Sequence, residues 1–181
     1  RHPTVRATFN VVPTLLDQLS ALASGGARPD PFLALALKDA AELSFEERAY
    51  VVGHFFSLNR DMMAASLKRL KELHALRGDA PASAIGEPEV TRFDDQALTD
   101  LQVLFHLAWS GPLLQVDPLI ASLRAKGRGF TAEDKRALFA RHQEFLADVI
   151  PRWRRLYDAE QIEMSVTPYY HPILPLLCDL A

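Results

Sequence analysis

Apolar residues recur at three- and four-residue steps along most of this chain, and at two-residue steps in only two short places. Over residues 12–23, Leu15, Leu16, Leu19 and Leu22 build one apolar face, the mark of an amphipathic helix. Gly25-Gly26 closes it. Asp30 before Pro31 reads as a cap followed by a first-turn proline, opening a short, largely buried helix over 32–43. Ser44-Phe45-Glu46-Glu47 sets a serine three residues ahead of a glutamate, the capping-box spacing, and predicts a helix through Tyr50, Val51, Phe55 and Phe56. Another helix is expected over about 61–77, with Met63, Leu67, Leu70 and Leu73 as its stripe. Residues 78–89 have two prolines, two glycines and no period, which predicts a surface loop. Helical spacing resumes near Asp94, runs through Leu98, Leu101, Leu104, Phe105 and Ala108, and stops at Gly111-Pro112. A short helix is expected over 118–125. Thr131-Ala132-Glu133-Asp134 is a second cap pattern, opening a last long helix that carries Leu138, Phe139, His142, Phe145, Leu146, Val149 and Trp153.

The two period-two segments are 5–9 and 162–166. In the second, Ile162, Met164 and Val166 alternate with Glu163 and Ser165. The fold class read from this pattern is mostly α with two short parallel strands. Isolated strands need partners. These two can pair with each other across a very long helical crossover, but a two-stranded parallel sheet is poorly covered. The pattern therefore predicts a larger sheet or barrel, most of it outside these residues. The start, Arg1-His2-Pro3-Thr4, has neither an initiator methionine nor an apolar leader segment, and reads as the edge of a piece cut from a longer protein.

Composition narrows the function classes. The chain has 181 residues, enough for one domain with a real core, and is 49% hydrophobic and 24% charged, as soluble globular domains are. A formal net charge of -3 speaks against a nucleic-acid or anionic-membrane surface. No apolar run approaches the roughly 20 residues that span a bilayer. The single cysteine, Cys178, excludes an internal disulfide framework, fits a reducing, cytoplasmic setting, and reads as a small buried hydrophobe. The six histidines form no close ligand pair, so no metal site is expected. No phosphate-cradling glycine loop, dinucleotide fingerprint or nucleophile elbow occurs, and no cofactor is expected.

The most informative segment is IEMSVTPYYHPILPLL, from Ile162 onward. Pro168 and Pro172 fix the backbone on either side of Tyr169-Tyr170-His171. Carbohydrate sites use such parts, with flat aromatic faces for sugar CH groups and fixed donors for hydroxyls, and strand ends are where parallel barrels build sites. The same residues also suit a packed strand-to-helix turn. Glu163 is costly on an interior strand unless paired or functional, and unremarkable on an edge strand facing water. Thr8 and Asn10, at the end of the first strand, stand the same way. Trp109, Trp153, His106 and His142 lie on helical stripes and read as core or structural residues.

The segment IEMSVTPYYHPILPLL closely resembles a stretch of glycoside hydrolase family 57 proteins, above all the α-amylase-like members. VRATFNVVPTLLDQL resembles another stretch of the same proteins, and SFEERAYVVGHFFSLN and DLQVLFHLAWSGPL also look familial. The resemblance implies an incomplete (β/α)7 barrel, with 5–9 and 162–166 as early strands and 12–158 as a large helical insertion, so that 1–181 is part of a catalytic barrel. It implies a retaining hydrolase, glucanotransferase or branching enzyme acting on α-glucans, with a glutamate nucleophile and an aspartate acid/base about 5 Å apart. Both carboxylates are expected downstream of this chain, which then holds no catalytic residue, and a His-Gln-Pro motif is expected upstream. What this piece contributes is binding: His171 to sugar hydroxyls, Glu163 to orienting His171 or the sugar, Tyr169 and Tyr170 to stacking, with Asn10 beside them. The implied partners are an α-glucan or maltooligosaccharide and the rest of the catalytic domain. Two other readings fit the residues: a helical interaction or scaffold protein, and a family 57-like protein with a degenerate site.

Overall fold

The structure, a computed structural model, describes residues 4–25 and 30–170, with Arg60 and Asp61 described by their backbone alone. The expectations for Gly26, His171 and Cys178 fall outside the described residues. In chain order come β1 (Ala7–Val11), α1 (Pro13–Ala23), α2 (Pro31–Leu37), α3 (Phe45–His54), α4 (Arg60–Met63) and α5 (Lys68–Arg77). They are followed by α6 (Glu87–Val90), α7 (Asp95–Trp109), α8 (Pro112–Gln115), α9 (Pro118–Lys126), α10 (Ala132–Asp158) and β2 (Ile162–Val166). The chain divides into two compact units, Arg1–Arg28 with Arg141–Ala181, and Pro29–Ala140.

The helical unit is built around α7. Leu98, Leu101, Val103, Leu104, Leu107 and Ala108 are buried on every side of that helix, which is what a central helix requires. Phe55, at the end of α3, stacks on Phe32 at 5.5 Å and lies 4.9 Å from Phe105 of α7. Local side chains start the helices. Ser44 Oγ accepts from the Glu47 N–H at 3.2 Å while Glu47 Oε2 accepts from the Ser44 N–H at 2.8 Å, completing the expected capping box. Asp94, Asp117 and Asp30 cap α7, α9 and α2 one-sidedly, each side chain accepting from backbone N–H groups of the first turn.

Several boundaries differ from the pattern. The 32–43 helix is broken: α2 ends at Leu37, and a 3-10 turn, Ala40–Glu42, follows with Asp39 as its cap. The cause is tertiary. Gln102 Nε2 donates to the carbonyls of Leu35 and Lys38, at 2.6 and 3.2 Å, and Lys135 Nζ donates to the Lys38 carbonyl at 2.6 Å. These donors satisfy the helix-end carbonyls that would otherwise favour continuation. The 61–77 helix is likewise two helices, α4 and α5, parted where Ala64 and Leu67 turn into the core. The 78–89 loop holds a 3-10 turn, Ala82–Ala84, and the start of α6. Trp109 is not core: it ends α7 with 57% of its surface exposed.

Lys135 and Gln102 form a buried polar pair, with Lys135 Nζ 3.1 Å from Gln102 Oε1. Burial pushes the Lys135 ammonium below the ordinary lysine value, and the charge of Asp39 opposes this. Between that depressed folded value and the unfolded value of about 10.4, the unfolded chain holds a proton the folded chain lacks, so stability rises with pH. Below the window the cost of burying the charge is fully present. The unfolding free energy of the wild type relative to Lys135→Met should therefore climb as pH rises toward about 10.4. Denaturant titrations of both proteins across that range check it, and a flat difference counts against the burial cost.

In the other unit β1 and β2 pair in parallel, as expected, in the register Ala7↔Ile162 through Val11↔Val166. β1 starts two residues later than the 5–9 pattern, because its ladder begins where Ala7 donates to the Gln161 carbonyl at 3.3 Å. The turn entering β2 places Glu160 at φ 52, a left-handed conformation for a residue with a Cβ. The Arg6 guanidinium donates to the Glu160 carbonyl at that turn.

Candidate functional site

Pairing register and the two-residue period together sort the sheet into two faces. Thr8, Asn10, Glu163 and Ser165 occupy one; Ala7, Phe9, Val11, Ile162, Met164 and Val166 occupy the other. The polar face holds the strand residues singled out from the sequence. Thr8 and Glu163 stand opposite each other, and Thr8 Oγ1 donates to Glu163 Oε2 at 3.3 Å. Asn10 stands opposite Ser165, one step nearer the strand ends. Because the strands are parallel, both C-terminal ends open at the same edge.

At that edge β2 runs into Thr167-Pro168-Tyr169-Tyr170, and β1 runs into α1 through Val12. The turn is fastened to the start of α1. The Thr14 N–H donates to the Tyr169 carbonyl at 3.4 Å, and the Tyr169 hydroxyl donates to Asp17 Oδ2. The bond to Asp17, and then the burial and charge around it, hold the phenol above its ordinary pKa. Tyr170 stands edge-on to Tyr169, with ring centroids 4.7 Å apart and planes at 85°, and is 81% exposed. The two tyrosines thus have different positions: Tyr169 is tied by its hydroxyl, and Tyr170 offers an open ring. His171 follows directly, outside the described residues.

The structure brings Glu163, Asn10, Tyr169 and Tyr170 into the same unit, around one end of a two-stranded sheet. It adds two residues to them. Thr8, left open by the sequence, is the hydrogen-bond donor to Glu163. Asp17 was not singled out at all, although it is the only acidic residue among the first 29 and thus the only local carboxylate available to a tyrosine there. Among the described residues no group of three or more His, Cys, Asp or Glu side chains is placed to hold a metal ion, and no helix is long and apolar enough to cross a membrane.

The family model described as Glycosyl hydrolase family 57 matches residues 33–181. The chain belongs to glycosyl hydrolase family 57. No curated protein and no solved structure matches it. Within this family 57 chain the match takes in β2, Glu163 and the tyrosine turn, together with nearly all of the helical unit. β1, Asn10 and Asp17 precede it. Membership carries glycoside hydrolase chemistry on a carbohydrate in general; of the two segments that most resemble the family, Ile162 onward lies wholly inside the matched region and residues 5–19 precede it.

Proposed function

We propose that this chain forms one wall of the sugar site in a retaining glycoside hydrolase or transferase acting on α-glucans, with the nucleophile glutamate and acid/base aspartate supplied by residues outside 1–181. The observation that carries this reading is the family match running through Glu163 and the tyrosine turn. The local geometry supports it. A polar stripe of Thr8, Asn10, Glu163 and Ser165 leads to the end of two parallel strands, which is where (β/α) barrels place their chemistry. On the opposite face Phe9, Met164 and Val166 are exposed, Val166 at 74%. Apolar strand residues left uncovered in this way are what a (β/α)7 barrel would bury against further strands and helices. Residues 12–158 are then an insertion between two early barrel strands.

In this reading Tyr170 is the stacking platform and Tyr169 its support. Glu163, held by Thr8, orients His171 or the sugar, and Asn10 lies along the same face. The setting is cytoplasmic, with an α-glucan or maltooligosaccharide and the rest of the catalytic domain as partners, and no nucleic acid or membrane. Maltoheptaose titrated into the protein, followed by intrinsic fluorescence, tests the platform. Tyr170→Ala should weaken binding about fivefold, the worth of one ring face of roughly 1 kcal/mol. Trp109→Ala, in the other unit, should leave affinity unchanged. Equal affinity for wild type and Tyr170→Ala sinks the stacking role.

A further inference from the structure

A concave site of about 360 Å³ lies in the helical unit, where the start of α5 and the end of α9 line a common hollow. Five cations line it: Lys68, Arg69, Arg124, Lys126 and Arg128, against one carboxylate, Glu72. Three are already neutralised. Arg69 Nε bonds to Asp100 at 3.0 Å, Arg128 pairs with Glu72 at 2.7 Å, and Lys126 pairs with Asp134. Among the described residues Lys68 and Arg124 have no carboxylate partner. Arg124 is half-buried, and its guanidinium is held by neutral groups only, the Leu107 carbonyl and Ser66 Oγ, each at 2.8 Å. Burial lowers its pKa, as expected for a cation that has lost water without gaining an anion.

This placement of charge works against the empty fold. Lys68 and Arg69 open α5, with no acidic residue in its first turn, and positive side chains at that end oppose the helix dipole. An anion seated between Lys68 and Arg124 would relieve both costs. The residual charge of the hollow, about two, matches a phosphate monoester, which carries about -1.5 to -2 at pH 7. The hollow lies at the lower end of the roughly 300–1,000 Å³ range of small-ligand sites, so it has room for more than a bare oxyanion. Glu72 at the same site gives an acceptor for hydroxyls and repels a second phosphate.

We propose that this hollow is a second binding site, distinct from the strand-end site, for a sugar monophosphate held by Lys68 and Arg124. The strand-end site and the proposed glucan activity are not needed for it, since every residue involved lies in the helical unit.

Calorimetric titration with glucose 6-phosphate, inorganic phosphate and glucose tests it. Glucose 6-phosphate should bind, inorganic phosphate should bind more weakly, and glucose should not bind. Lys68→Ala should weaken the sugar phosphate about tenfold, the usual worth of a charge-assisted contact, with a melting temperature equal to or slightly above that of the wild type, because Lys68 has no intramolecular ion pair to lose and its charge opposes the α5 dipole. Arg124→Gln should abolish binding, and its melting curve shows whether the fold persists without the two bonds to Leu107 and Ser66. Arg136→Ala, an exposed cation outside the hollow, should change affinity less than twofold. Absence of binding by glucose 6-phosphate overturns the proposal. So does undiminished binding in Lys68→Ala, or equal affinity for inorganic phosphate, which reduces the hollow to a bare anion site.

Discussion

Replacing Asp100 with alanine is expected to destabilise the helical unit by about 3–5 kcal/mol. Asp100 is 1% exposed, inside α7, and its two oxygens hold three separate pieces of the unit together. Oδ2 accepts from Arg69 Nε of α5 at 3.0 Å. Oδ1 accepts from Gln96 Nε2 one turn earlier at 3.0 Å, and from the buried Phe130 N–H at 3.1 Å. Truncation leaves the Phe130 amide without its acceptor and Arg69 with only its longer contact to Glu72, at 3.3 Å. An orphaned buried donor costs about 1–3 kcal/mol, and the stranded cation adds to it. Asp100→Asn keeps the shape and one acceptor but turns an amide toward a donor, so it should fall between, at about 2 kcal/mol. Urea unfolding of the two variants gives both numbers, and the Arg69→Ala double-mutant cycle isolates the α5 contact. A loss below about 1 kcal/mol in Asp100→Ala sinks this account of how α5, α7 and the Phe130 segment are joined.

What could be read from the sequence was what is decided locally. Ser44 and Glu47 are three residues apart, so their mutual capping is visible in the spacing and the structure bears it out. The alternation of Ile162, Glu163, Met164, Ser165 and Val166 is likewise local, and both the strand and its face assignment follow. The breaks after Leu37 and Met63 were not visible. The first is set by Gln102 and Lys135, which lie 67 and 97 residues from the carbonyls they reach. Trp109 shows the opposite error. It falls on the apolar stripe one turn after Phe105, but α7 ends there and Trp109 stays exposed beside the buried Leu107 and Ala108, so periodicity alone overstates its burial.

The site divides along the same line. Tyr169, Tyr170 and Glu163 stood out because prolines and strand alternation mark them locally. Their partners did not: Thr8 lies 155 residues from Glu163, and Asp17 lies 152 residues from Tyr169. Only the parallel pairing of the first strand with the last brings these residues side by side. Recognising the family therefore rested on contiguous segments, above all Ile162 onward and residues 5–19, whereas the hydrogen bonds that join the side chains of those segments needed the fold.

On the proposed reading, Glu163→Ala in the complete enzyme should lower kcat/KM on amylose about a hundredfold, or about 2.7 kcal/mol of transition-state stabilisation. Glu163 is assigned as a positioning group, so the loss should fall on kcat with KM little changed, the pattern of an interaction made mainly in the transition state. A rise in KM alone would instead mean that it only binds substrate. Glu163→Gln keeps an acceptor for a neighbouring donor but removes the charge. It should recover about tenfold of the loss if orientation matters, and none if the negative charge itself is needed. Stability gives the control. In the 181-residue chain Glu163 is exposed and its one described hydrogen bond is the 3.3 Å contact from Thr8, so neither variant should shift the melting temperature of this chain by more than a degree or two. Thr8→Val removes that contact while keeping the strand's shape. A smaller fall in kcat, near tenfold, is expected for it, because Glu163 would then lose its orientation and keep its charge. Full activity in Glu163→Ala would return the strand to a purely structural role and leave Tyr170 and His171 as this chain's share of the sugar site.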